Sequence, residues 1–192
     1  MIIHEFEKSL KYEQSKFTTN NRFYFDKLGA TKIERIEFIN EEEKQLQRKD
    51  IDLYITKGGK RISVSEKDRR VNFNDIIIEF YSVYHKKIRG WMDYSEAEYL
   101  AYFVPVKVVW INKKQLVEFY KNELKPAVPD QFFDELKSCN KIKSTKNITI
   151  RAEKENITLV AAYNPTYITM NVCLGFDLLT KLSIDYEVFP FK

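Results

Sequence analysis

The stretch DIDLYITKGGKRISVSEKDRR, residues 50–70, carries Asp50 and Asp52 at its head and an adjacent Glu66–Lys67 pair near its end. Carboxylates and a lysine brought together in this way suit hydrolysis of a phosphodiester assisted by a divalent cation. Carboxylate oxygens hold a hard ion such as Mg2+ or Mn2+, and Mg2+ in particular keeps several of its waters. The ion lowers the pKa of one water and neutralises charge on the phosphate. A lysine beside it orients that water or stabilises the charge of the transition state. The plain alternative is a solvated polar strand face followed by a charge run, Glu66 to Arg70, that pairs with itself.

A hairpin is the element that can bring these residues together. Ile51, Leu53 and Ile55 alternate with Asp50, Asp52 and Tyr54, as in a half-buried strand. Lys57-Gly58-Gly59-Lys60 supplies a tight turn, and Ile62 and Val64 resume the alternation. Residues on paired strands face each other about 5 Å apart, with alternate side chains on one face. Before the hairpin, apolar residues at helical spacing (Phe6, Leu10, Phe17, Phe23, Phe25, Leu28) predict two helices or one broken at Thr18–Asn21, ending at Gly29. Ile33, Ile36 and Phe38 predict a strand, and EEEKQLQRKD a charged connector or short helix.

After the hairpin, FNDIIIEFYSVY predicts a strand, Tyr94–Phe103 a helix, VKVVWIN a strand, and KKQLVEFYKNEL a helix that stops before Pro126. Beyond PAVPD the texture changes. A helix from Gln131, a lysine-rich loop (Lys137, Lys141, Lys143, Lys146), strands near 148–151 and 157–162, and a helix near 176–182 are expected. A soft boundary at Pro126–Pro129 divides the chain into a core domain, residues 1–125, and an extension, residues 126–192.

Asp52, the Gly-Gly turn and SVSEKDR resemble the PD-(D/E)XK nuclease superfamily, which includes many restriction endonucleases and Holliday-junction resolvases. IIIEFYS followed by GWMDYSEAEYLAYF is similar to the downstream part of its phage-type members. The likeness spans roughly 41–112. It implies an α/β fold, a small mixed β-sheet flanked by helices (a restriction endonuclease-like core), here with a C-terminal α+β extension. It also implies Mg2+- or Mn2+-dependent cleavage of DNA, including branched DNA, and a homodimer where both strands are cut.

One position departs from the superfamily pattern. The acid expected two residues before Lys67 is Ser65, and Glu66 points to the other face of a regular strand. A bulge that rotates Glu66 inward, an acid migrated to Glu79, or loss of catalysis would each account for this. Glu79 is the more informative anomaly, because a carboxylate inside an apolar run is costly unless paired or metal-bound. The expected catalytic set is therefore Asp52, Glu66, Lys67 and Glu79. Asp52 and Glu79 hold the ion with help from Glu66, Lys67 positions the attacking water, and Asp50 is a reserve ligand. Lys86, Lys87 and Arg89, interleaved with Tyr81, Tyr84 and Trp91, form a basic aromatic stretch suited to a nucleic-acid backbone.

Composition bounds the rest. The chain of 192 residues carries a net charge of +4, 44% hydrophobic and 31% charged residues, which fits a folded, mildly basic protein. Two cysteines without a CxxC spacing and two histidines give no disulfide framework and no imidazole zinc site. The charged start lacks a signal-peptide profile, and no apolar run approaches the ~20 residues of a membrane span, so a cytoplasmic protein is expected. No phosphate-cradling glycine loop or GxSxG context is present. Two other readings stand beside the nuclease. One is a catalytically degenerate module of the same fold that binds nucleic acid, and the other is a phage or mobile-element protein whose tyrosine-rich surface binds a host protein.

Overall fold

The computed structural model describes residues 16–37 and 40–191; Phe6, Leu10 and Phe38 of the expected first helix and strand lie outside them. Helix α1, residues 16–22, passes into a wider turn at Phe23–Lys27 and leaves at Gly29, where the sequence predicts its end. Strand β1 (Lys32–Arg35) follows, then helix α2 (Glu41–Arg48). The charged connector becomes helical because both its ends are capped. The Asn40 side chain accepts the Glu43 amide, three glutamates occupy the first turn and Arg48 the last.

Strands β2 (Leu53–Lys57) and β3 (Lys60–Asp68) form the expected hairpin. Gly58 and Gly59, at φ 55° and 76°, adopt the left-handed pair that a two-residue hairpin turn demands. Next come β4 (Asp75–Val83), the short β5 (Ile88–Arg89), β6 (Tyr99–Val104) and β7 (Lys107–Asn112). Helix α3 (Lys113–Phe119) continues through a wider turn at Tyr120–Leu124 into α4 (Lys125–Ala127), followed by α5 (Asp130–Ser138). Strands β8 (Lys143–Ile150), β9 (Glu153–Tyr163) and β10 (Ile168–Gly175), helix α6 (Phe176–Lys181) and β11 (Tyr186–Pro190) complete the chain.

The architecture is mixed α/β with two sheets. The first has the order β1-β2-β3-β6-β7-β11, with β3 and β6 parallel and every other pair antiparallel. The second, β5-β4-β10-β9-β8, is antiparallel throughout. The residues after Pro126 supply three strands of the second sheet, and β11 forms an edge of the first. Lys143 and Lys146, expected in a loop, lie in β8.

Residues 94–103 do not form the expected helix; Tyr99–Val104 is a strand between β3 and β7. The reason is its position. Both faces of β6 are covered, so Leu100 to Val104 are all buried and no polar alternation marks them as a strand. Leu100, Tyr102 and Val104 face the second sheet, while Ala101 and Phe103 face Phe23 and Tyr24 of the first helical segment. No helix among the described residues is long and apolar enough to cross a membrane.

Candidate active site

Asp50 is set by the way α2 ends. The Asp50 amide donates to the Gln47 carbonyl at 2.9 Å and the Ile51 amide to Leu46 at 3.1 Å, the two bonds of a Schellman motif. The residue at its turning point takes φ 56°, a conformation usually left to glycine. Aspartate tolerates it better than most residues. The backbone thereby turns a carboxylate inward, and Asp50 is only 5% exposed.

Three side chains converge on that carboxylate. Ser65 and Lys67, two residues apart on β3, share the face turned towards the second sheet. The Ser65 hydroxyl donates to Oδ2 of Asp50 at 3.0 Å, and Lys67 Nζ to Oδ1 at 2.7 Å. The third is Lys113, the first residue of α3, which is wholly buried and donates to Oδ2. Trp91 lies under both ammonium groups, its ring centroid 5.3 Å from Lys67 Nζ and 4.6 Å from Lys113 Nζ. Burial pushes the Lys113 amine down to about 8 against the pull of Asp50. Burial acts on Lys67 in the same direction, but Asp50 and Asp52 outweigh it and hold that amine above its usual value. Burial opposes ionisation of Asp50 too, and the two lysines overcome it, keeping the carboxyl below its usual range.

Asp52 adjoins this group, and the charge of Glu79 acts on the same lysine. Asp52 accepts the backbone amide of Glu66 at 2.7 Å and lies 3.8 Å from Lys67 Nζ. Burial raises its carboxyl above the ordinary value, and the neighbouring Asp50 charge adds to this against the pull of Lys67. Glu79 projects from the half-buried side of β4, opposite the core residues Ile78 and Phe80. Its carboxylate accepts the Ser82 hydroxyl, and its charge acts on both Lys67 and Tyr94. The strand is tied down here by Gly90, whose amide donates to the Phe80 carbonyl at 3.0 Å. A Cβ on Gly90 would lie 1.9 Å from the Glu79 carbonyl oxygen, so only glycine fits.

No family model, curated protein or solved structure matches this chain.

Glu66 is directed away from this group. It lies on the α1 side of β3, where its carboxylate accepts Arg35 Nη1 at 2.7 Å, Arg35 Nη2 at 3.1 Å and the Tyr24 hydroxyl at 2.7 Å. The strand is regular at this point, so alternation decides the direction and no bulge rotates Glu66 inward. Its side chain locks α1 and β1 onto the sheet, and only its amide reaches the site.

Lys87 and Arg89 lie at the β4–β5 edge, over the rings of Tyr84 and Tyr81 at 3.9 and 4.4 Å respectively, and Lys87 pairs with Asp130. Lys86 is exposed beside them. Among the described residues, no three His, Cys, Asp or Glu side chains are grouped to hold a metal ion. Lys113 has no counterpart among the sequence-based candidates. At the head of KKQLVEFYKNEL it reads as an ordinary exposed lysine, and no local pattern distinguishes it from Lys114.

Proposed function

We propose that this protein is a metal-dependent nuclease of the PD-(D/E)XK type acting on DNA. The observation that carries this reading is the convergence of Asp50, Asp52 and Lys67 at the head of one hairpin, with the Glu79 charge felt at the same lysine. The order of elements supports it as well. A leading helix, a strand and the hairpin correspond to α1, β1 and β2–β3, and β6 returns parallel to β3, whereas the later helix expected before that strand is replaced by β4 and β5 on the connection.

The donor set fits Mg2+ better than other common ions. Zinc favours histidine and cysteine ligands, which this site lacks, and calcium takes six to eight oxygens. Mg2+ is held through one or two carboxylates and keeps its waters, a role Asp52 and Glu79 would fill. The raised Asp52 carboxyl points the same way, because a group whose negative charge is poorly compensated is stabilised by a bound cation. When bound, the ion would supply an activated water and charge neutralisation at the phosphate.

The chain's own residues do the rest. Asp52 and Glu79 would hold the ion, and the Lys67 ammonium, held in place by Asp50, would face the phosphate and the attacking water. Asp50 is committed to Lys67, Ser65 and Lys113, so it anchors the lysine and is not a ligand. Ser65 stands where an acid is expected, and its hydroxyl instead fixes Asp50. Lys86, Lys87 and Arg89 would contact the backbone without reading sequence.

The test is cleavage of supercoiled plasmid and of a branched duplex with Mg2+ or Mn2+. Wild type should nick in the presence of the ion, and Asp52→Asn, Glu79→Gln and Lys67→Met should each lose at least about 100-fold in rate. Wild-type protein that binds these substrates without cutting them under any divalent ion would refute the enzyme and favour the degenerate binding module.

A further inference from the structure

A lysine held by its own carboxylate is a poor anion receptor, because the pair is neutral. Lys67 would be in that position if Asp50 belonged to it alone. It does not. Oδ1 of Asp50 faces Lys67, while Oδ2 is taken by the Ser65 hydroxyl and by Lys113. The two ammonium groups share this carboxylate, so within the triad the charges sum to one positive, which the Asp52 carboxylate, 3.8 Å from Lys67, opposes from outside it. Only one member of the triad can present that charge to a ligand. Lys113 is fully enclosed and Asp50 nearly so, whereas 29% of the Lys67 side chain remains exposed. Trp91, under both amines, shields the inner lysine from water and adds the attraction of its ring face.

We propose that Lys67 is a phosphate-binding subsite whose positive charge is restored by Lys113, a buried positioning residue that never touches the ligand and acts by neutralising Asp50. The inference deepens the nuclease reading and rests on it for its ligand, a phosphodiester oxyanion. It assigns a role to the one fully buried lysine among the described residues, placed 63 positions from Asp50 in the chain. It also explains the strained backbone of Asp50. The carboxylate must stand between two lysines from different elements, and the left-handed turn at the end of α2 directs it there.

The experiment measures binding of a short fluorescent single-stranded oligonucleotide by anisotropy, at low salt and with EDTA present, so that cleavage does not enter. Lys67→Met and Lys113→Met should each weaken binding about tenfold, since either change makes the site, which also holds Asp52, one unit more negative. The double variant Asp50→Asn/Lys113→Met removes one charge of each sign and leaves Lys67 with its own. Its affinity should return to within about twofold of wild type, a rescue that a merely structural lysine would not give.

Replacing a buried ion pair by neutral groups is commonly tolerated, so the double variant decides the matter even where Lys113→Met alone fails to fold. A double variant that binds about tenfold more weakly than wild type overturns the inference, as does a Lys113→Met protein that binds normally. Failure of Mg2+-dependent cleavage with the charge series intact would remove the nuclease reading alone. Cleavage with a flat charge series would remove this inference alone.

Discussion

Asp50→Asn tests the central group most directly, because asparagine also tolerates the left-handed backbone and nearly matches the carboxylate in shape. The substitution takes the counter-ion from a fully buried lysine. Leaving a buried charge unpaired costs about 3–5 kcal/mol, but Lys113 has a cheaper route. It sheds its proton. With the amine pushed down to about 8 in the wild type, the charged form is favoured only modestly at pH 7, by on the order of 1 kcal/mol. The loss through Lys113 is therefore of that order.

The pairing with Lys67 and the Ser65 bond add about 1 kcal/mol together, discounted because Lys67 reaches solvent. The expected loss at pH 7 is therefore about 2–3 kcal/mol. At pH 9.5 wild-type Lys113 is already neutral, so the lysine contribution vanishes and the loss falls to about 1 kcal/mol. Urea unfolding of both proteins at the two pH values measures this. A loss that stays constant with pH, or that is below about 0.5 kcal/mol at pH 7, would show that Lys113 does not depend on Asp50 for its charge.

Other substitutions separate support from chemistry. Glu66→Gln should cost about 1–2 kcal/mol in urea unfolding, because the mostly enclosed Arg35 guanidinium loses its counter-charge while keeping its bonds to Asn21, and the cleavage rate per folded molecule stays unchanged. Gly90→Ala should cost about 3 kcal/mol and reduce Mg2+ affinity measured by calorimetry, since the added methyl displaces the Glu79 backbone. Wild-type oligonucleotide binding should weaken above about pH 8 as Lys113 loses its proton, with Lys67 still charged, and the double variant should show no such decline. Stability moves the other way. The unfolded chain keeps the lysine proton up to about 10.4, so between these values the unfolded state binds more protons and Lys113 makes stability rise with pH.

The sequence by itself determined the hairpin and the direction of its side chains. Alternation from Ile51 to Val64 and the glycine pair set the register, and period two places Ser65 and Lys67 on one face and Glu66 on the other. These are local rules, satisfied within a few residues. The same is true of the strand at 75–83 and of the helix that begins at Lys113.

Tertiary structure alone decided what those side chains meet. β6 reads as a helix because a strand covered on both faces has no polar period, and only its insertion between β3 and β7 reveals it. Glu79 stands out as an anomaly in an apolar run, yet the close approach of Gly90 to its backbone and the action of its charge on Lys67 arise only in the folded chain. Lys113 was beyond reach of any pattern. A lysine becomes a buried charge only when a distant carboxylate is folded against it, and that partner lies at the end of another helix, turned inward by a backbone angle that no residue type announces.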